Sequence, residues 1–487
     1  MRVRFEQQLK LGQLRIEDLE LRKKTRDKVE DLAAALHLLY CTPEYNERLF
    51  RILEKYINKG KKRTGRKGMD LWMIFVLAQV RLTLNASYEF VYNLANNHKS
   101  IRWVMGVETE SGFPRKEFEY QNIYDNLNLL DDKMLKEINE LVVEFGHKEV
   151  FKKKDTEGLD LKSDSFVVES NVHFPTDYNL LWDSARKILD TVLKIKEKHN
   201  LKSWRKIKHW RSEIKGLMRE LGKASASGGK NKAERVKLAA RAYLAKSGAL
   251  LKKVNNEISG FPIHDNGDLN LIMDLEYFIL MLEKHIDLVR RRIIEGETIP
   301  HEEKVFSIFE TYTEWVKKGK MRPNVEFGKK LTITTDQYNL IVDYYQMEHD
   351  QDRDIVITIA DRLLKKYKID SWSFDKGYWR AENKELLQLE IPKVIMPKLG
   401  KKNKQEEEEE KSYTFKRLKN KHSAIESNIN ELEQRGLDRC PDKGIAHYTR
   451  YIAMAICAYN LKKIGAEILR KERIKLKQSK QWHRSAA

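Results

Sequence analysis

The stretch LDLKSDSFVVESNVHFPTD, from Leu159, interrupts a chain that otherwise reads as helix to that point. Its β-branched residues predict strand, and Pro175-Thr176-Asp177 predicts the stop, so the stretch reads as two strands in a hairpin. Strand texture returns in VEFGKKLTITTDQYNLIVDYYQM, from Val325, where alternation and Gly328 predict two strands with a tight connection. RDIVITIADRLLKKYK then predicts an amphipathic helix, DSWSF a strand ending on Asp375, AENKELLQ a short helix and LEIPKVIMPK a further strand. LGKKNKQEEEEEKSYTF reads as a charged loop whose glutamate run is solvated. HSAIESNINELEQRG predicts a helix stopped by Gly436, and a last long helix runs into a basic tail. With residues 178–320 set aside, the order is four strands, helix, strand, helix, strand and two helices.

That order fits few folds. It is the layout of an α/β domain with a mixed sheet and helices on both faces, of the ribonuclease-H-like kind, in which chemistry sits where strand ends meet a nearby helix. Residues 1–150 are expected to form an all-α N-terminal DNA-binding region, with LWMIFVLAQVRLTL as a buried helix and Asn85 or Ser87 capping the next. Residues 151–177 and 321–470 form the expected catalytic domain. Residues 178–320 read as a large helical insertion and 471–487 as a basic C-terminal tail.

Charge narrows the partners. Lysine and arginine number 93 against 73 acids, a formal net charge of +20 in 487 residues, which points to a polyanion and first of all to nucleic acid. The segment NKGKKRTGRKGMD places Lys61, Lys62, Arg63, Arg66 and Lys67 on an expected exposed arm along a phosphate backbone. In the insertion, Trp204, Arg205, Lys208, Trp210 and Arg211 interleave aromatics with cations, which suits stacking on a nucleic-acid strand. An amphipathic helix with buried tryptophans and a solvated basic face fits the same pattern equally well. Three cysteines without a CxxC pair argue against a disulfide framework or a zinc module. With no apolar leader and no run long enough to span a bilayer, the sequence predicts a cytoplasmic protein, in a bacterium a nucleoid-associated one.

Three acids stand at distinct positions of the expected fold. Asp164 lies inside the first strand, Asp375 at the end of the fourth, and Glu426 on the helix whose buried stripe is Ile425, Ile429 and Leu432. Cutting a phosphodiester needs an activated nucleophile and neutralisation of the leaving oxygen, and two divalent ions held by carboxylates do both. Hard ions such as Mg²⁺ take oxygen ligands, with Mn²⁺ as a substitute. Asp160, on the same strand face, is the fallback first acid; Glu169, of opposite parity, reads as structural. Lys376 is a candidate phosphate contact, Gly377 a sharp turn, and Tyr378 and Trp379 either stack on a base or pack on the sheet.

The sequence resembles the DDE transposases of bacterial insertion sequences. SDSFVVESNVHFPTD resembles their first-aspartate hairpin, FDKGYW their second-aspartate motif and HSAIESNINELEQRGLDRC their glutamate helix. The resemblance implies Asp164, Asp375 and Glu426 as catalytic metal ligands, binding of double-stranded DNA at terminal inverted repeats and at a target, strand transfer, and a homodimer on paired DNA ends. The tyrosine, arginine and lysine that many relatives carry around the glutamate are here Lys419, His422 and Glu433. His422 is therefore a candidate DNA-phosphate contact on the face of Glu426, set against an ordinary surface histidine. A nuclease or resolvase without strand transfer, and an inactive DNA-binding derivative, remain the alternatives.

Overall fold

The computed structural model describes residues 2–6, 8–23, 27–60, 67–317 and 325–485. The chain divides into two compact units, residues 172–315 and the remainder.

The larger unit begins with helices α1 (Lys28–Cys41), α2 (Pro43–Ile57), α3 (Leu71–Thr83), α4 (Tyr88–Asn97), α5 (Lys99–Val104), α6 (Tyr120–Leu127) and α7 (Asp132–Phe145). All of α3 is buried, as its unbroken apolar sequence predicts. Ser87, not Asn85, caps α4 by accepting from the Phe90 amide; Asn85 sits at φ 50°. Strand β1 (Leu159–Glu169) follows, then β2 (Glu314–Lys317), which begins in the last residues of the smaller unit, β3 (Val325–Thr335) and β4 (Ile341–Gln346).

The predicted hairpin at 159–177 is not formed. β1 is one strand at the centre of the sheet, antiparallel to β3 on one side and parallel to β5 (Ile369–Phe374) on the other. With both edges of β1 occupied, a strand folding straight back would have no ladder to join. Residues 170–176 instead lead into a helix, and the Thr176 hydroxyl caps it by accepting from the Asn179 amide. The hairpin partner of β1 is β3, so the helical insertion occupies the hairpin's connection. Gly328 lies at the crossing rather than at a turn: a Cβ there would lie 2.0 Å from the Val168 carbonyl oxygen. The tight turn is made by Asp336, whose Oδ1 accepts from the Tyr338 and Leu340 amides.

The sheet runs β2-β3-β1-β5-β6, with β6 (Val394–Ile395) parallel to β5, and β4 also on β3. With β2 set aside, the five remaining strands lie in the order third, second, first, fourth, fifth. The first three are antiparallel and the last two parallel to the first, a topology consistent with a ribonuclease-H-like sheet. One face packs on an apolar core of Leu159, Leu161, Trp372 and Phe374 with α12 (Val356–Leu364) and α13 (Ala381–Glu390).

The glutamate run is helical, not a loop. It forms α14 (Lys404–Lys411), begun by a capping box between Asn403 and Glu406. Lys384, Lys398 and Lys402 pair with Glu409, Glu406 and Glu410, so the run is bound to the domain as well as solvated. Helices α15 (Tyr413–His422) and α16 (Ala424–Leu432) follow, and Gly436 at φ 105° ends the run as predicted. Helix α17 (Ile445–Ser485) continues through what the sequence suggests is a tail. It packs against α1, α3 and α7.

The smaller unit holds α8 (Asp177–His199), α9 (Ile207–Ala226), α10 (Lys232–Glu257) and α11 (Asn266–Val289) around its own core, which includes Leu181, Ile188, Ile214, Tyr243 and Leu282. Among the described residues no helix is long and apolar enough to cross a membrane.

Candidate active site

Register brings the first two acids together. β1 and β5 run parallel with Lys162 opposite Ser373 and Ser163 opposite Phe374. One step further along both strands, Asp164 stands beside Asp375, and neighbours in register point to the same face of the sheet. The opposite face takes Ser163, whose hydroxyl accepts from the Trp372 indole at 2.8 Å, so the aromatic pair of β5 fixes which side the acids occupy.

The acidic face is covered by α15 and α16. His422, at the end of α15, has Nδ1 3.0 Å from the Ser373 hydroxyl. Ile425 and Leu432 of α16 are fully buried and Ile429 nearly so, which leaves Glu426 exposed at the edge of that stripe, as its spacing predicts. Asp164 responds to all of this. Burial, and then the negative charges of Asp375, Asp352 and Glu426, push its carboxyl up to about 7 against one hydrogen bond accepted from the Ser165 amide. The three predicted acids therefore share one electrostatic environment. Among the described residues no group of three or more His, Cys, Asp or Glu side chains is close enough to hold a metal ion.

Asp352, from the loop before α12, is the acid that sequence reasoning missed. It lies in an acid-rich run, HDQDRD, with no strand to mark it. Its carboxylate accepts from the Ser165 hydroxyl at 2.6 Å and from Lys330 at 2.8 Å. A Cβ on Gly377 would lie 3.1 Å from it, so Asp352 braces the turn that follows Asp375. A carboxylate with both a hydroxyl and an ammonium partner is a fastening rather than a free ligand. Asp160, the fallback first acid, accepts from the Ser371 hydroxyl at 2.5 Å. It sits four residues from Asp164, roughly 13 Å along the strand, away from Asp375.

His422 is not an ordinary surface histidine. Burial is the main cause that pushes its imidazole down to about 4, with the Lys162 ammonium adding to it and the Asp375 charge opposing. Its Nε2 is buried and has no hydrogen-bond partner. Lys162, one residue from Ser163, is itself buried and donates to the Asp336 carbonyl.

The other predicted contacts divide. Lys376 is exposed on the turn after β5. Tyr378 is buried against Phe374, with ring centroids 5.5 Å apart, and Trp379 lies under the Lys398 ammonium, so both pack rather than present a free face. Lys61, Lys62, Arg63 and Arg66 lie outside the described residues, and Lys67 pairs with Glu6. Trp204 is 3% exposed, with the Lys253 ammonium over its ring, and Trp210 lies under Lys246. Neither ring is free to stack on a base. Arg211 pairs with Asp190, whereas Arg205 and Lys208 are exposed.

The mixed sheet thus sets Asp164, within β1, beside Asp375, just past the end of β5, with Glu426 on a helix that covers the same face. The family model described as the transposase DDE domain matches residues 290–461, so that part of the chain is similar to such a domain. The matched span includes Asp375 and Glu426 and begins after β1, which bears Asp164. Neither curated proteins nor solved structures return a match. Transposases act on DNA, and DDE transposases generally use divalent metal ions.

Proposed function

We propose that this chain binds the terminal inverted repeats of an insertion sequence and cuts and joins DNA, with Asp164, Asp375 and Glu426 as its catalytic acids. The register that sets Asp164 beside Asp375 on parallel strands carries the reading. The donor chemistry fits hard divalent cations, Mg²⁺ first: all three groups are carboxylates, and their mutual repulsion at Asp164 is what a cation would relieve. Asp164 and Asp375 would hold the ions from the sheet, and Glu426 would join them by moving in from α16. Bound ions of this kind supply a nucleophilic water and neutralise the leaving oxygen. Lys376, on the turn after Asp375, orients the scissile strand through a phosphate. Two copies act on paired ends.

The test uses full-length protein and DNA carrying the element's ends. Asp164→Ala, Asp375→Ala and Glu426→Ala each lose metal-dependent cleavage by at least about a thousandfold, on the scale of a lost catalytic group, while Asp160→Ala retains it. Cleavage that survives all three substitutions sinks the assignment. Cutting without joining to a target identifies a nuclease, and binding without cutting a derived DNA-binding protein.

A further inference from the structure

The smaller unit is electrically divided. From Lys194 to Lys253 it carries nineteen lysines and arginines against four acids; from Asp265 to Glu314 it carries five against twelve. The positive half is the α9–α10 pair. Along α9, Ile207, Ile214 and Leu221 face the unit's core. On the far side Lys208, Ser212, Lys215, Arg219 and Lys223 follow each other at steps of three and four residues, and all are exposed. The four cations of this stripe have no ion-pair partner among the described residues, whereas Arg211 and Lys246, off the stripe, are neutralised by Asp190 and Glu213. On α10, Lys237, Arg241 and Lys252 are exposed as well. Like charges held one turn apart on a helix repel, as Lys215, Arg219 and Lys223 are here, so the unpaired row costs stability unless a polyanion covers it.

We propose that the outer face of α9 is a binding surface for the phosphate backbone of duplex DNA. The stripe runs fifteen residue steps from Lys208 to Lys223, roughly 22 Å at helical rise, which matches about six phosphate steps along one strand. Ser212, in the middle of the row, is small enough to let a backbone approach. A single strand is a poorer fit, because single-strand surfaces rely on exposed aromatic platforms. Here Trp204 and Tyr243 are buried and Trp210 is covered by Lys246. The surface carries no base-reading geometry, so it adds affinity without sequence preference. It rests on the reading of the chain as a DNA-processing enzyme and assigns the insertion a role in that reading.

The experiment compares wild type with the quadruple variant Lys208→Gln, Lys215→Gln, Arg219→Gln and Lys223→Gln in the full chain. Glutamine keeps helix propensity and these side chains are exposed, so circular dichroism should be unchanged. Binding to duplex of the element's end and to unrelated duplex is measured across a salt series. The expected result is at least about a tenfold loss of affinity for both, with the slope of log affinity on log salt reduced by about 3 to 4. An unchanged slope and affinity overturn the surface, and a loss of self-association instead would give the stripe to the acidic face of a second copy. If wild type binds and cuts but the variant binds equally well, the surface alone fails; if wild type neither binds nor cuts duplex, the functional reading fails with it.

Discussion

Asp164 and His422 are displaced from their ordinary protonation in opposite senses for a common reason, burial at the covered face of β1 and β5. The carboxyl of Asp164 is raised to about 7 from 3.8, so the folded chain binds a proton there that the unfolded chain has lost. The stability contribution is therefore highest below pH 3.8 and is lost as pH rises through 7. Asp164→Asn, in metal-free protein, should raise the melting temperature by a few degrees at pH 8. The gain should vanish towards pH 4 in a calorimetric pH series; a constant gain would mean the carboxylate is not desolvated. His422 runs the other way. Its folded value is about 4 against 6.5, so stability is complete above pH 6.5 and falls as pH drops towards 4. Proton NMR should find this ring uncharged down to about pH 5, and His422→Gln should flatten the acid limb of the stability curve.

At the scale of elements, strands need partners and long helices need close approach. The first requirement explains the missing hairpin: nothing in SDSFVVESNVHFPTD reveals that both edges of β1 are taken. The second is met by α17. A Cβ on Gly465 would lie 1.6 Å from the Asp31 carbonyl oxygen, so α1 and α17 touch backbone to backbone. Gly465→Ala should destabilise by about 2–3 kcal/mol in denaturant titrations. Between α7, α17 and β4, the Asn460 side chain accepts from the Ile341 amide at 2.8 Å. It also donates to the Ile341 carbonyl and to Asn139, all within the core. Asn460→Ala leaves those groups buried without partners and should cost about 2–3 kcal/mol by the same titration. Element type was legible wherever period and caps agreed, as in α3 and at Ser87. The glutamate run was misread because charge density suggested solvent, while its capping box and three lysine partners make it a helix.

At the scale of the whole chain, two cores are built separately. Residues 172–315 bury Leu181, Ile188, Tyr243 and Leu282 among their own helices. Replacing 172–315 with a short glycine-serine link should therefore leave the sheet unit folded, with cooperative unfolding and loss of helical signal in proportion to the residues removed. Aggregation of this variant under conditions where wild type is monodisperse would show that the sheet depends on the inserted helices. On the proposal for α9, the same deletion lowers duplex affinity and its salt dependence together.

The sequence by itself determined the identities and spacing of the acids, the order of strands and helices from Val325 to Ile395, and the excess of positive charge. These are local properties, written in period, caps and composition. Tertiary structure alone decided that Asp164 adjoins Asp375, that Asp160 does not, that Asp352 braces the turn, and that Trp204 is core. Each of those depends on strand register or on which face of an element is covered, and both are set by partners distant in sequence. A one-residue change of register would move Asp164 to the opposite face without altering a single local signal.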